Sequence, residues 1–99
     1  MRYIVAVRGI LKGGAEQARK AHDEIVSKVS PKGKSLGNTS HQPYLNVQNG
    51  NEFFAIDFWD NMEGIQKLYS NPDLAAEFAK MFESQPEVTI WADSGWVQF

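Results

Sequence analysis

Acid–base chemistry near neutral pH needs a side chain that gains and loses a proton there, and this chain offers two, His22 and His41. An imidazole, with an unperturbed pKa of about 6.5, can accept or donate a proton at working pH. Two imidazoles reaching one apolar layer from different elements would draw a proton from a phenol or enol. The anion left behind is electron-rich and reacts with dioxygen directly. That chemistry calls for no cofactor and no metal, and none is signalled. The chain has no Gly-x-Gly-x-x-Gly fingerprint, no dense cluster of histidines and carboxylates, and no cysteine. The competing reading is that His22 is a core or boundary imidazole bonded to backbone, and that His41 is an exposed strand end.

Other residues earn a place beside them. Asp57 is the single charge in the apolar run Phe53–Trp59, and a carboxylate buried there without a partner is expensive. Arg8, Arg2 or a residue of a second subunit is its expected partner. Tyr44 and Trp59 read as packing groups that also shape a ligand's surroundings with Phe58, Asn46 reads as structural, and the Tyr69 hydroxyl reaches a cavity rim. Lys28, Lys32 and Lys34 read as a solvated cluster, and Gly13-Gly14 as a turn.

These side chains need elements to hold them. Tyr3–Arg8 is β-branched and ends at Gly9, which predicts a first strand. Ala15 to about Val29 carries the apolar stripe Ala18, His22, Ile25 and Val29, with Ala21 and Val26 alongside, which predicts a helix. Ser30-Pro31 ends that helix, and Lys32 to Ser40 reads as a loop. His41–Gln48 is a second strand, placed at a sheet edge by Pro43. Asp60-Asn61 caps a short helix with Glu63 in the capping-box position, and Asn71-Pro72 opens another with Leu74, Phe78, Met81 and Phe82 inward. Glu87–Asp93 alternates as a last strand. The large apolar groups of Trp96-Val97-Gln98-Phe99 pack on a neighbour.

Asn49-Gly50 signals a two-residue hairpin between the second and third strands. Pairs across it then sum to 99, so that Leu45 faces Phe54 and Tyr44 faces Ala55. One face shows His41, Pro43, Leu45 and Val47 with Phe54, Ile56 and Phe58, and this drier face should meet the helices. The other shows Tyr44 and Asn46 with Phe53, Ala55, Asp57 and Trp59.

Ninety-nine residues predict one domain over 1–99, and a net charge of -2 argues against a nucleic-acid or membrane-surface partner. No signal peptide or membrane span is legible, so the protein is expected in the cytoplasm. The order strand, helix, strand, strand, helix pair, strand predicts an α+β, ferredoxin-like β-α-β-β-α-(α)-β sandwich. Its helices cover one sheet face. The aromatic groups of the other predict a homodimer with two sheets packed face to face.

At this point the chain resembles the dimeric α/β-barrel superfamily, and within it the antibiotic biosynthesis monooxygenase-like domains. The resemblance is carried by Phe53-Phe54-Ala55-Ile56-Asp57-Phe58-Trp59-Asp60-Asn61-Met62-Glu63-Gly64-Ile65 and continues through Tyr69-Ser70-Asn71-Pro72-Asp73-Leu74 to Phe78. His41-x-x-Tyr44-Leu45-Asn46 with Pro86-Glu87-Val88-Thr89-x-Trp91 is similar to an uncharacterised subgroup. The resemblance implies a cavity between the sheet and its own helices, lined by Leu45, Ile56, Phe58, His22 and His41. It implies a cofactor-independent monooxygenase or proton-transfer enzyme acting on a small aromatic or polyketide-like molecule. Monooxygenase-like members often carry a histidine nine residues beyond the tryptophan, where this chain has Leu68. The asparagine and later histidine of the haem-degrading members are both missing, which argues against haem degradation. The alternatives are a non-catalytic binder of a small hydrophobic ligand and a purely structural homodimer.

Overall fold

The computed structural model describes residues 2–99. The chain runs β1 (Tyr3–Ile10), α1 (Ala15–Ser35), β2 (Asn38–Leu45), β3 (Glu52–Trp59), α2 (Met62–Tyr69), α3 (Pro72–Phe78) and β4 (Glu87–Ala92). The sheet is antiparallel in the order β2-β3-β1-β4. This is the ferredoxin-like α+β arrangement, and its sheet is open rather than closed into a barrel. Val5, Trp59, Ile65 and Phe82 are fully buried between the sheet and the helices. Among the described residues no helix is long and apolar enough to cross a membrane.

Helix α1 runs past Pro31, against the expectation that it stops there. The proline removes one backbone donor and crowds the preceding turn, an effect worth roughly 3 kcal/mol in a helix interior. The apolar stripe explains why the helix continues. After Val29 it goes on to Gly33, which is buried, and to Leu36, which packs against the core. Pro31 sits on the exposed side of this turn. Gly37, at φ +111°, then ends the helix in the left-handed region that favours glycine. The stretch expected as a loop therefore holds the last helical turn and the first residues of β2.

The hairpin also differs from its expected form. Asn46 Oδ1 accepts from the backbone N–H groups of Gln48 and Asn49, at 2.7 and 3.2 Å. Asn46 N–H donates to Glu52 O at 2.9 Å. This Asx turn replaces the two-residue turn, and neither Asn49 nor Gly50 takes the positive φ a type I′ turn demands. The register moves by one: Leu45 pairs with Phe53, Tyr44 with Phe54 and His41 with Asp57. A one-residue shift exchanges the faces of a strand. Phe53, Ala55, Asp57 and Trp59 lie under the helices, whereas Phe54, Ile56 and Phe58 lie on the open face.

Candidate functional site

Helix α1 brings His22 over the sheet, and β2 brings His41 up to meet it. His22 Nε2 and His41 Nε2 are 2.8 Å apart. The rings lie nearly parallel, with an interplanar angle of 24°. His41 Nδ1 is hydrogen-bonded to Asp57 Oδ1, and the Tyr69 hydroxyl donates to Asp57 Oδ2 at 3.3 Å. At the other end His22 Nδ1 bonds Asp23 Oδ1 at 3.0 Å. The result is one run of side chains, Asp23–His22–His41–Asp57–Tyr69, from an exposed carboxylate to a half-buried phenol.

The inner end of this run lies against a cavity of about 90 Å³ between the sheet and the helices. Its walls are almost wholly apolar, with Ile25, Phe53, Trp59, Leu68 and Phe78 among them. Burial holds the Tyr69 phenol proton far more tightly than usual, and the adjacent Asp57 charge and hydrogen bond add to this. Tyr69 is therefore a hydrogen-bond donor in this site and not a base. Trp59 Nε1 is buried with no hydrogen-bond partner among the described residues. A buried polar group in that state costs about 1–3 kcal/mol. Among the described residues no group of three or more His, Asp or Glu side chains is placed to hold a metal ion.

The candidate residues divide as follows. His22, His41, Trp59 and Tyr69 line the cavity. Leu45 and Tyr44 border a separate cleft, on the far side of His22. Ile56 and Phe58 are corrected: the register places both on the open face, away from the cavity. Trp59 moves the opposite way, from the open face to the core, where it is 1% exposed. Of the partners expected for Asp57, neither Arg8 nor Arg2 reaches it; within the chain it is bonded by His41 and Tyr69. Arg8 instead donates twice to Glu52, at 2.9 and 2.7 Å. The missed signal was the spacing itself. With the register corrected, the only charge of the apolar run Phe53–Trp59 stands directly across from the histidine of the neighbouring strand.

No family model matches the sequence, and no curated protein matches it. Solved structures do match in fold. SnoaB, a cofactor-independent oxygenase from Streptomyces nogalater, superimposes with a TM-score of 0.73 at 12% identity, covering 97% of this chain and 96% of its own. A monooxygenase from ActVA-Orf6 of Streptomyces coelicolor, solved with nanaomycin D, gives 0.72 at 13% identity and covers 97% and 90%. A Nitrosomonas europaea protein provisionally named antibiotic biosynthesis monooxygenase gives 0.71 at 8% identity and covers 95% and 91%. The fold is that of the antibiotic biosynthesis monooxygenase-like proteins. At these identities the likeness extends to the backbone arrangement of such monooxygenase-like domains, and the residues of the site must be argued on their own chemistry.

Proposed function

We propose that the protein is a cofactor-independent oxygenase or a related proton-transfer enzyme, acting as a homodimer on a small aromatic or polyketide-like molecule. The observation that carries this reading is the hydrogen-bonded contact of His22 with His41 and of His41 with Asp57 beside an apolar cavity. A phenol or enol gives its proton to this run when its hydroxyl displaces one of these contacts, and Asp23 returns it to water. The remaining anion is poorly solvated in apolar walls, which raises its reactivity towards dioxygen. An activated CH₂ beside it would become a carbonyl that keeps one oxygen atom, while the other leaves as water. Electrons and atoms balance with dioxygen alone. Tyr69 fixes the Asp57 carboxylate, and the unpartnered Trp59 Nε1 is the donor we assign to a ligand oxygen. The fold's likeness to a cofactor-independent oxygenase supports the same reading.

The homodimer is inferred from the open face. Tyr44, Phe54 and Trp91 are half-exposed there, with Ile4, Ile56 and Phe58 between them. A contiguous apolar face of this kind marks an interaction surface. Trp96, Val97 and Phe99 are also exposed and would dock on the partner.

A non-catalytic binding role has one observation in its favour, the near absence of polar lining beyond the histidine run. Oxygen uptake separates the two. Phenols and quinols are screened with the wild-type protein and with His41→Ala. The proposed activity gives uptake that falls by about 10²–10⁴ in the variant, the range typical of general acid–base groups. Saturable binding of these compounds without uptake would replace the enzyme reading with a sequestering one.

A further inference from the structure

All the imidazole nitrogens of the pair are engaged: His41 by Asp57 and His22, His22 by His41 and Asp23. In this arrangement neither ring has a nitrogen free to take a proton from a ligand. The inner cavity, at about 90 Å³, is also small beside the ~150 Å³ of an engineered cavity that binds benzene. A second space of about 280 Å³ lies beyond His22, between the first half of α1 and the end of β2. Leu11, Ala15, Arg19, Pro43 and Leu45 are among its walls. His22, Phe53 and Met81 line both spaces and so form the partition between them. Phe53 and Met81 are core residues, only 6% and 3% exposed. His22 is the member that can move, since its outward bond goes to exposed Asp23 at the protein surface.

We infer that His22 is a gate between two chambers of one binding site. Turning its ring away from His41, towards Asp23 and water, joins the inner cavity to the outer cleft. The same motion bares His41 Nε2 to the joined space. The joined chamber falls within the ~300–1,000 Å³ usual for small-molecule sites. It suits a fused-ring phenol or enol, with the ring system against Leu11, Leu45 and Phe53 and the hydroxyl at His41. His22 is thus a specificity-determining residue that excludes or admits ligands larger than one ring. The role given to His41 rests on the proton-transfer reading above; the gate itself does not.

Calorimetric titration with phenol and with 1-naphthol tests this on the wild-type chain and on His22→Ala, His22→Asn and His22→Phe. The two smaller side chains should tighten 1-naphthol binding at least tenfold and phenol binding less than threefold. His22→Phe keeps the partition filled and should show no gain. Two small variants are used so that a folding defect in one, read by circular dichroism, leaves the other informative. Unchanged 1-naphthol binding in the folded variants would overturn the gate, as would an equal gain for both compounds. Because the readout is binding, a gated protein that consumes no oxygen would overturn only the enzymatic proposal.

Discussion

The Nε2 atoms of His22 and His41 face each other at 2.8 Å, while each Nδ1 is turned to a carboxylate. The two rings are thereby joined with Asp23 and Asp57 into one hydrogen-bonded run, so a change at either ring alters the bonds of the other.

Groups that act as a unit are not additive. His22→Ala and His41→Ala should each lower kcat by about 10² or more. The double variant should lose little beyond the worse single one. Steady-state kinetics of the three proteins checks this, and multiplicative losses would show that the two rings act independently.

Alkaline stability should depend on Tyr69. Its phenol pKa is raised by burial first, then by the Asp57 charge and hydrogen bond, from an ordinary value of 10.0. Above that value the unfolded chain loses this proton and the folded one keeps it. The unfolded state then binds fewer protons, so stability falls as pH rises. Urea midpoints between pH 9 and 11 should drop in the wild type, and Tyr69→Phe should flatten that slope.

A helix usually gains about 1 kcal/mol when an interior glycine becomes alanine. Gly64→Ala should do the opposite. A Cβ there would stand 1.8 Å from the Leu36 carbonyl oxygen and 2.9 Å from its carbon. Backbone cannot step aside as a side-chain tip can, and overpacking of this kind costs about 1–3 kcal/mol or more. The expected result is a net loss of stability, read as a lower urea midpoint at constant m-value.

The open sheet face gives a size measurement. Light scattering should report about twice the 11.2 kDa of one chain. Phe54→Lys places a charge in the middle of that face, and should return the protein to a single chain without unfolding it. A wild type that already runs as one chain would remove the dimer from the proposal.

Much of this architecture was legible in the residues. The apolar runs named all four strands, and Asn71-Pro72 opened α3 as read, with Asn71 accepting from Asp73 N–H. The His22 stripe gave the inward face of α1. Local rules failed at two points where tertiary contacts prevailed. Pro31 argued for a helix end, but Gly33 and Leu36 carried the stripe onwards. Asn49-Gly50 argued for a two-residue turn, but the Asn46 side chain satisfied two backbone donors and lengthened the loop. That second error misplaced Ile56, Phe58 and Trp59, and it hid Asp57 from His41.

The six residues from Asn46 to Asn51 therefore set the phase between two chemical groups they never touch. Beyond the bulge at the start of β2, odd-numbered residues of β2 and β3 share a face only because the count through this loop is what it is. Adding or deleting one residue there, with β1 still holding β3 in place, would turn His41 to the opposite side of the sheet from Asp57. Chains of this fold that differ by one residue in this connection would then differ in whether a histidine–aspartate pair can exist at all. Loop length becomes an inherited trait of the site, as consequential as the identity of either residue.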